Sequence, residues 1–139
     1  MKIRSFEFES DYDAVRNLWE NAGPGIQLSP SDEPQGILKK LERDPDLFLV
    51  AEHDGRLIGS VLGGFDGRRG MVYHLAVAPE HRKHGLGRAL MDEVERRLRA
   101  RGCVKYYLLV THGNQDALDF YEKLECEKMP LFVLGKVIG

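Results

Sequence analysis

Cysteine is scarce in this chain. Cys103 and Cys126 are the two present, and neither has a Cys or His at the spacing of a metal ligand. That argues against a disulfide framework and against a zinc site. Net charge is scarce too: 20 Lys and Arg stand against 22 Asp and Glu, so no bulk positive field draws the chain to nucleic acid. Long apolar runs are missing, and stretches such as residues 106–110 fall far short of a membrane span. The opening Met1-Lys2-Ile3-Arg4-Ser5-Phe6-Glu7 has charges but no apolar region behind them, which predicts no secretory leader. No repeat, low-complexity tract or linker divides the 139 residues. The expectation is one domain over residues 1–139, in a reduced, cytoplasmic protein with no membrane or nucleic-acid partner.

What is present is enough for one hydrophobic core, with 42% hydrophobic and 30% charged residues. Residues 2–7 alternate polar and apolar and predict a first strand. Ser10-Asp11-Tyr12-Asp13 reads as a helix start, followed by Val15, Leu18, Trp19 and Ala22 at helical spacing before Gly23. Pro24, Gly25, Pro30 and Pro34 make residues 23–34 a loop, and a short helix follows over 35–43. Three strands come next, over 47–52, 56–65 and 71–77. Asp54-Gly55 is a hairpin signal between the first two, and Pro79 stops the third. Leu86, Leu90, Val94 and Leu98 stripe a helix over 87–101 that Gly102 ends. Residues 104–110 form an apolar strand expected at the centre of the sheet. Asn114 can cap a helix bearing Ala117, Phe120, Tyr121 and Leu124 on one face, and the tail around Phe132-Val133-Leu134 predicts two closing strands. The order is mixed α and β around one sheet.

The most informative stretch runs Leu75-Ala76-Val77-Ala78-Pro79-Glu80-His81-Arg82-Lys83-His84-Gly85-Leu86-Gly87-Arg88-Ala89-Leu90-Met91. It is a strand, a basic turn with glycines, and the start of an amphipathic helix. Free N–H groups at a helix start bind anions, and the helix dipole favours the same charge. Gly85 and Gly87 remove side chains that would hold a phosphate off the backbone, and Arg82, Lys83 and Arg88 add positive charge. These features predict a pyrophosphate site, beside the plainer reading of a turn that only joins strand to helix. Neither G-x-x-x-x-G-K-[ST] nor G-x-G-x-x-G with a downstream acid is present.

The run V-x-P-x-x-R-x-x-G-x-G-x-x-L resembles the coenzyme A signature of the GNAT superfamily of N-acetyltransferases, whose core R/Q-x-x-G-x-G/A falls on Arg82, Gly85 and Gly87. A second block, Asn114-x-x-Ala117-x-x-Phe120-Tyr121-Glu122-Lys123-Leu124, resembles the superfamily's later motif. Together they cover residues 47–127, and the whole chain is similar to small single-domain bacterial members. The resemblance implies an α/β fold of mixed α+β type, with a mostly antiparallel, splayed sheet of about six or seven strands and about four helices. It implies acetyl-CoA as acetyl donor, no metal, and a primary amine of a small molecule, peptide or protein as acceptor, attacking directly in a ternary complex. The alternative is a coenzyme-binding module with weak or no turnover. Either would act as a monomer or a homodimer, paired through a tail strand.

By the same resemblance, the backbone of Leu75, Ala76 and Val77 pairs with the pantetheine arm, and the N–H near Leu75 polarises the thioester carbonyl. Arg82, Lys83, His84, Gly85, Leu86, Gly87 and Arg88 surround the pyrophosphate. Asn114 contacts the arm or only caps its helix. Tyr121 matches the acid that protonates the leaving thiolate, although it lies on an apolar stripe and also suits the core. Two departures stand out. Met71 and Leu108-Leu109-Val110 occupy the positions where relatives carry a basic glutamate, which leaves Glu52, His53, Asp66, His74, His112 or a water as the general base. Glu125-Cys126 replaces the usual Gly-Phe, so the helix end should be strained by about 1 kcal/mol or shifted.

Overall fold

The computed structural model describes residues 1–139. Five strands form one sheet in the order β1 (Lys2–Ser5), β2 (Phe48–His53), β3 (Arg56–Phe65), β4 (Gly70–Val77) and β5 (Tyr106–Leu108). All neighbours run antiparallel except β4 and β5, which are parallel. Four helices complete the mixed α and β order: α1 (Phe8–Glu20), α2 (Pro34–Arg43), α3 (Leu86–Ala100) and α4 (Gln115–Lys123). Asp54 and Gly55 take φ of 50° and 75°, the two left-handed residues a tight hairpin turn needs between β2 and β3.

Successive residues of β3 point to opposite faces, and the helices cover both. A Cβ on Gly59 would lie 2.9 Å from Leu90 Cδ1, and one on Gly63 would lie 2.8 Å from Val94 Cγ2, so glycine there lets α3 lie close. On the other face Ser60 Oγ accepts the Trp19 indole N–H from α1 at 2.9 Å. With both faces covered, residues 47–51 read as an unbroken apolar run, and every one of them is fully buried. Phe6 stacks on Phe48 at 4.0 Å and Trp19 on Phe48 at 5.8 Å, and such buried side chains contribute roughly 1.5–3 kcal/mol each.

Three expectations are corrected. Helix α1 begins at Phe8 rather than Ser10, because the Asp11 carboxylate turns back. It accepts the Glu7 N–H at 2.8 Å and a two-pronged Arg4 guanidinium at 2.7 and 3.0 Å, locking β1 to α1. Strand β5 has three residues and lies at the sheet's edge, not its centre. Residues 126–139 form no strand, so the sheet has five strands instead of six or seven. A strand needs a ladder partner, and the short β5 edge offers little to pair with; Leu131, Phe132, Val133, Leu134, Val137 and Ile138 stay exposed. Both cysteines are free, and no helix is long and apolar enough to cross a membrane.

Candidate active site

The sheet opens where β4 parts from β5. Their ladder ends at Val72 paired with Leu108, while β4 stays paired with β3 as far as Val77 opposite Gly59. The β4 edge from Tyr73 to Val77 therefore has no strand partner on the β5 side. The register against β3 also slips between Ser60–Ala76 and Leu62–Tyr73, and His74 takes φ +49° at that slip. This is a β-bulge, which bends the strand and widens the gap. Ala76 is buried, and Leu75 and Val77 are half-buried, so side chains fill the core while the backbone lines the wedge.

The turn beyond β4 ends in left-handed residues, Lys83 at φ +65° and Gly85 at φ +83°. Gly85 is the N-cap of α3. The backbone N–H groups from Lys83 to Arg88 donate to no protein acceptor. Six adjacent free donors at a helix start are the kind of donor set that a polyanion can satisfy. The basic side chains are disposed differently from the sequence expectation. Arg82 is a brace: its guanidinium donates to the Val77 carbonyl at 3.0 Å and the Ala22 carbonyl at 3.1 Å. Arg88 donates to the Lys123 carbonyl at 3.3 Å and ties α3 to α4. Lys83 and His84 are exposed, whereas the Leu86 side chain belongs to the core. Gly87 is small for another reason as well, because a Cβ there would meet the Phe120 ring at 3.1 Å.

Helix α4 brings the remaining two residues. Asn114 Oδ1 accepts the Ala117 N–H at 3.1 Å, which is the capping role. Its Nδ2 faces the loop over 23–34, where a Cβ on Gly25 would lie only 2.9 Å from it. Tyr121 makes no hydrogen bond through its hydroxyl, and burial, with the Cys126 charge behind it, pushes its pKa up to about 12. The helix closes with the Cys126 N–H on the Tyr121 carbonyl at 3.0 Å and the Glu125 N–H on the Glu122 carbonyl at 3.0 Å. Glu125 takes φ +69° there, the strained conformation the sequence predicts.

Residues 12–125 match the model of the acetyltransferase (GNAT) family. The chain belongs to that family. It is 45% identical over 137 residues to an acetyltransferase of Pectobacterium atrosepticum, covering 98% of this chain and 94% of that one. An acetyltransferase of Trypanosoma brucei has a TM-score of 0.73 at 26% identity, over 98% of this chain and 99% of that one. The PaiA N-acetyltransferase of Thermoplasma acidophilum, solved in complex with coenzyme A, has a TM-score of 0.74 at 22% identity, over 88% and 87%.

In this GNAT acetyltransferase the five candidate bases lie in different places. Glu52 accepts from Arg4 Nε at 3.3 Å on the β1–β2 side of the sheet. His53 is exposed beside Asp54 at 3.4 Å. Asp66 Oδ1 accepts the N–H groups of Arg69 and Arg68 at 2.8 and 2.7 Å, bonds that hold its carboxyl below the usual range and spend it on the turn. His112 is exposed in the connection to α4. His74 alone is set in the bulge, with Nε2 2.9 Å from Asp32 Oδ1. Asp32 is the residue that sequence reasoning missed. Burial pushes its carboxyl up, but the His74 bond and the Ser29 N–H outweigh this and hold it below its ordinary value. The signal was present as Ser29-Pro30-Ser31-Asp32, a capping box with proline at the first position, which starts a single 3₁₀ turn over Pro30–Asp32.

Proposed function

We propose that this chain binds acetyl-CoA along the β4–β5 wedge and transfers the acetyl group to a primary amine by direct attack in a ternary complex. The observation that carries the reading is the parting of β4 from β5 after Val72 and Leu108, followed in the chain by six free N–H groups from Lys83 to Arg88. The donor set suits the ligand: the helix start fits a pyrophosphate and the open strand edge fits an amide-bearing arm. Bound there, acetyl-CoA supplies a thioester acetyl group.

The chain's own residues do the rest. The backbone of Leu75, Ala76 and Val77 pairs with the arm, and the Leu75 N–H polarises the acetyl carbonyl as charge develops on its oxygen. Arg82 braces the strand end while Lys83, His84, Gly85, Leu86, Gly87 and Arg88 turn their N–H groups to the pyrophosphate. Asn114 retains Nδ2 for the arm once its oxygen has capped α4. Tyr121, protonated up to about pH 12, delivers its proton to the departing sulfur. The amine of a small molecule or peptide enters from the side of the loop over 23–34.

Calorimetric titration with acetyl-CoA, with Gly85→Glu in parallel, tests the reading. Micromolar-range binding that the variant loses supports it, and turnover of an amine panel completes it. Binding without turnover of any amine would leave a coenzyme-binding module. Absence of binding would overturn both.

A further inference from the structure

We propose that His74, oriented by Asp32, is the group that takes the proton from the incoming amine. This rests on the acetyl-transfer reading above. His74 is a non-glycine residue at φ +49° inside a strand, a conformation that costs of order 1–3 kcal/mol and persists only where its surroundings impose it. The bulge aims the imidazole at the face covered by α1 and the 23–34 loop, and leaves it one residue before Leu75.

Three elements fix the ring. From the loop, Asp32 Oδ1 lies 2.9 Å from Nε2, and its other oxygen accepts the Ser29 N–H at 3.0 Å. From α1, the Trp19 ring lies 4.7 Å away at 59°. From β3, Ser60 Oγ donates to the His74 carbonyl at 3.3 Å while it accepts from Trp19. Asp32 is itself anchored, because its carbonyl accepts from the Tyr12 hydroxyl at 2.8 Å and from Arg16 at 3.4 Å. The charged and titratable groups around the pair are therefore Tyr12 and Arg16 on α1, with neutral Trp19 and Ser60 completing the wall.

A carboxylate can only accept, so at Nε2 the ring donates and the neutral tautomer carries its lone pair on Nδ1. Nδ1 has no partner in the protein, yet no buried side-chain nitrogen or oxygen lacks one, so Nδ1 reaches solvent. Aspartate behind one ring nitrogen and a free lone pair on the other is the arrangement of a general base. The step balances. The amine nitrogen bonds to the acetyl carbon and gives its proton to Nδ1. The C–S bond breaks, the sulfur takes the Tyr121 proton, and afterwards His74 releases its proton to solvent while Tyr121 regains one from it.

The experiment measures kcat against pH for wild type, His74→Ala, His74→Gln and Asp32→Asn with an amine that wild type acetylates, alongside acetyl-CoA binding and thermal melting. His74→Ala and His74→Gln should lower kcat by about 10²–10⁴-fold, keep acetyl-CoA affinity, and lose the acidic limb of the wild-type profile. Asp32→Asn, the positioning residue, should lower kcat while leaving KM for acetyl-CoA nearly unchanged, since the ring is then no longer held with its lone pair on Nδ1. Folded His74 variants that retain kcat or the acidic limb would overturn the proposal while the acetyltransferase reading stands. A wild-type protein that binds acetyl-CoA but acetylates no amine would overturn both.

Discussion

Gly87 and Phe120 meet across the seam between α3 and α4, where a Cβ on Gly87 would lie 3.1 Å from Phe120 Cζ and 3.3 Å from Cε1. The second glycine of the turn motif thus answers to helix packing. Gly87→Val should cost about 1–3 kcal/mol through overpacking and should weaken acetyl-CoA binding, because the displaced ring carries α4 with it. Phe120→Leu in the same chain should return at least half of that loss. Denaturant unfolding of the four proteins as a double-mutant cycle checks this, and strictly additive costs would dissociate the two residues.

Glu125 closes α4 in a left-handed conformation that Gly102 adopts at the equivalent place after α3, with φ of 69° and 91°. Both ends use the same pair of backbone bonds: Cys103 N–H to the Leu98 carbonyl at 3.0 Å with Gly102 N–H to the Arg99 carbonyl at 2.9 Å, and Cys126 N–H to the Tyr121 carbonyl at 3.0 Å with Glu125 N–H to the Glu122 carbonyl at 3.0 Å. Glu125→Gly should therefore raise stability by about 1 kcal/mol, and Gly102→Ala should lower it by about as much. Melting temperatures moving in opposite directions would bear this out; an unchanged or lower value for Glu125→Gly would show that the glutamate is not strained.

Tyr121 has a half-buried ring and no hydrogen-bond partner for its hydroxyl. Tyr121→Phe should leave melting temperature and acetyl-CoA affinity nearly unchanged while lowering kcat by about 10²-fold. Equal kcat in the two proteins would remove Tyr121 as the proton donor.

Glu93 accepts from Arg96 at 3.0 and 2.6 Å and from Arg97 at 2.9 Å, and Arg97 also reaches Ser5 Oγ at 2.7 Å and the Asp46 carbonyl at 3.0 Å. The Arg96 bonds first, against burial, and then Arg97 bring the Glu93 pKa from 4.5 down to about 2. A folded pKa below the unfolded value means stabilisation that is whole above the unfolded pKa and fades as pH falls through the folded one. Asp11 and Asp32 are shifted in the same direction. Glu93→Gln should melt below wild type at about pH 7 and converge with it near about pH 2. A gap independent of pH would mean that the carboxylate charge does not matter.

Local pattern and tertiary placement divide the molecule cleanly. Strand β3 has the bounds its sequence predicts, α3 differs by one residue at each end, the Asp54-Gly55 turn forms, and Asn114 caps α4. Each is set by neighbours in the chain: a periodicity, a glycine, a side chain reaching a nearby N–H. The free N–H groups from Lys83 to Arg88 follow from the same local rules, so the turn was legible before any fold was known.

Other features depend on residues far apart in the chain. Arg82 spends its donors on carbonyls 5 and 60 residues away, Asp32 meets His74 across 42 residues, and no spacing rule reaches that far. The bulge that aims His74 exists only because β4 must match β3, and the edge position of β5 only because no further strand pairs with it. Short-range sterics and hydrogen bonding let the sequence by itself determine the elements from β1 to α4, their order and a turn of unpaired backbone N–H groups. Tertiary structure alone decided which charges are spent as braces, how far the sheet extends, and which histidine has a buried carboxylate behind it.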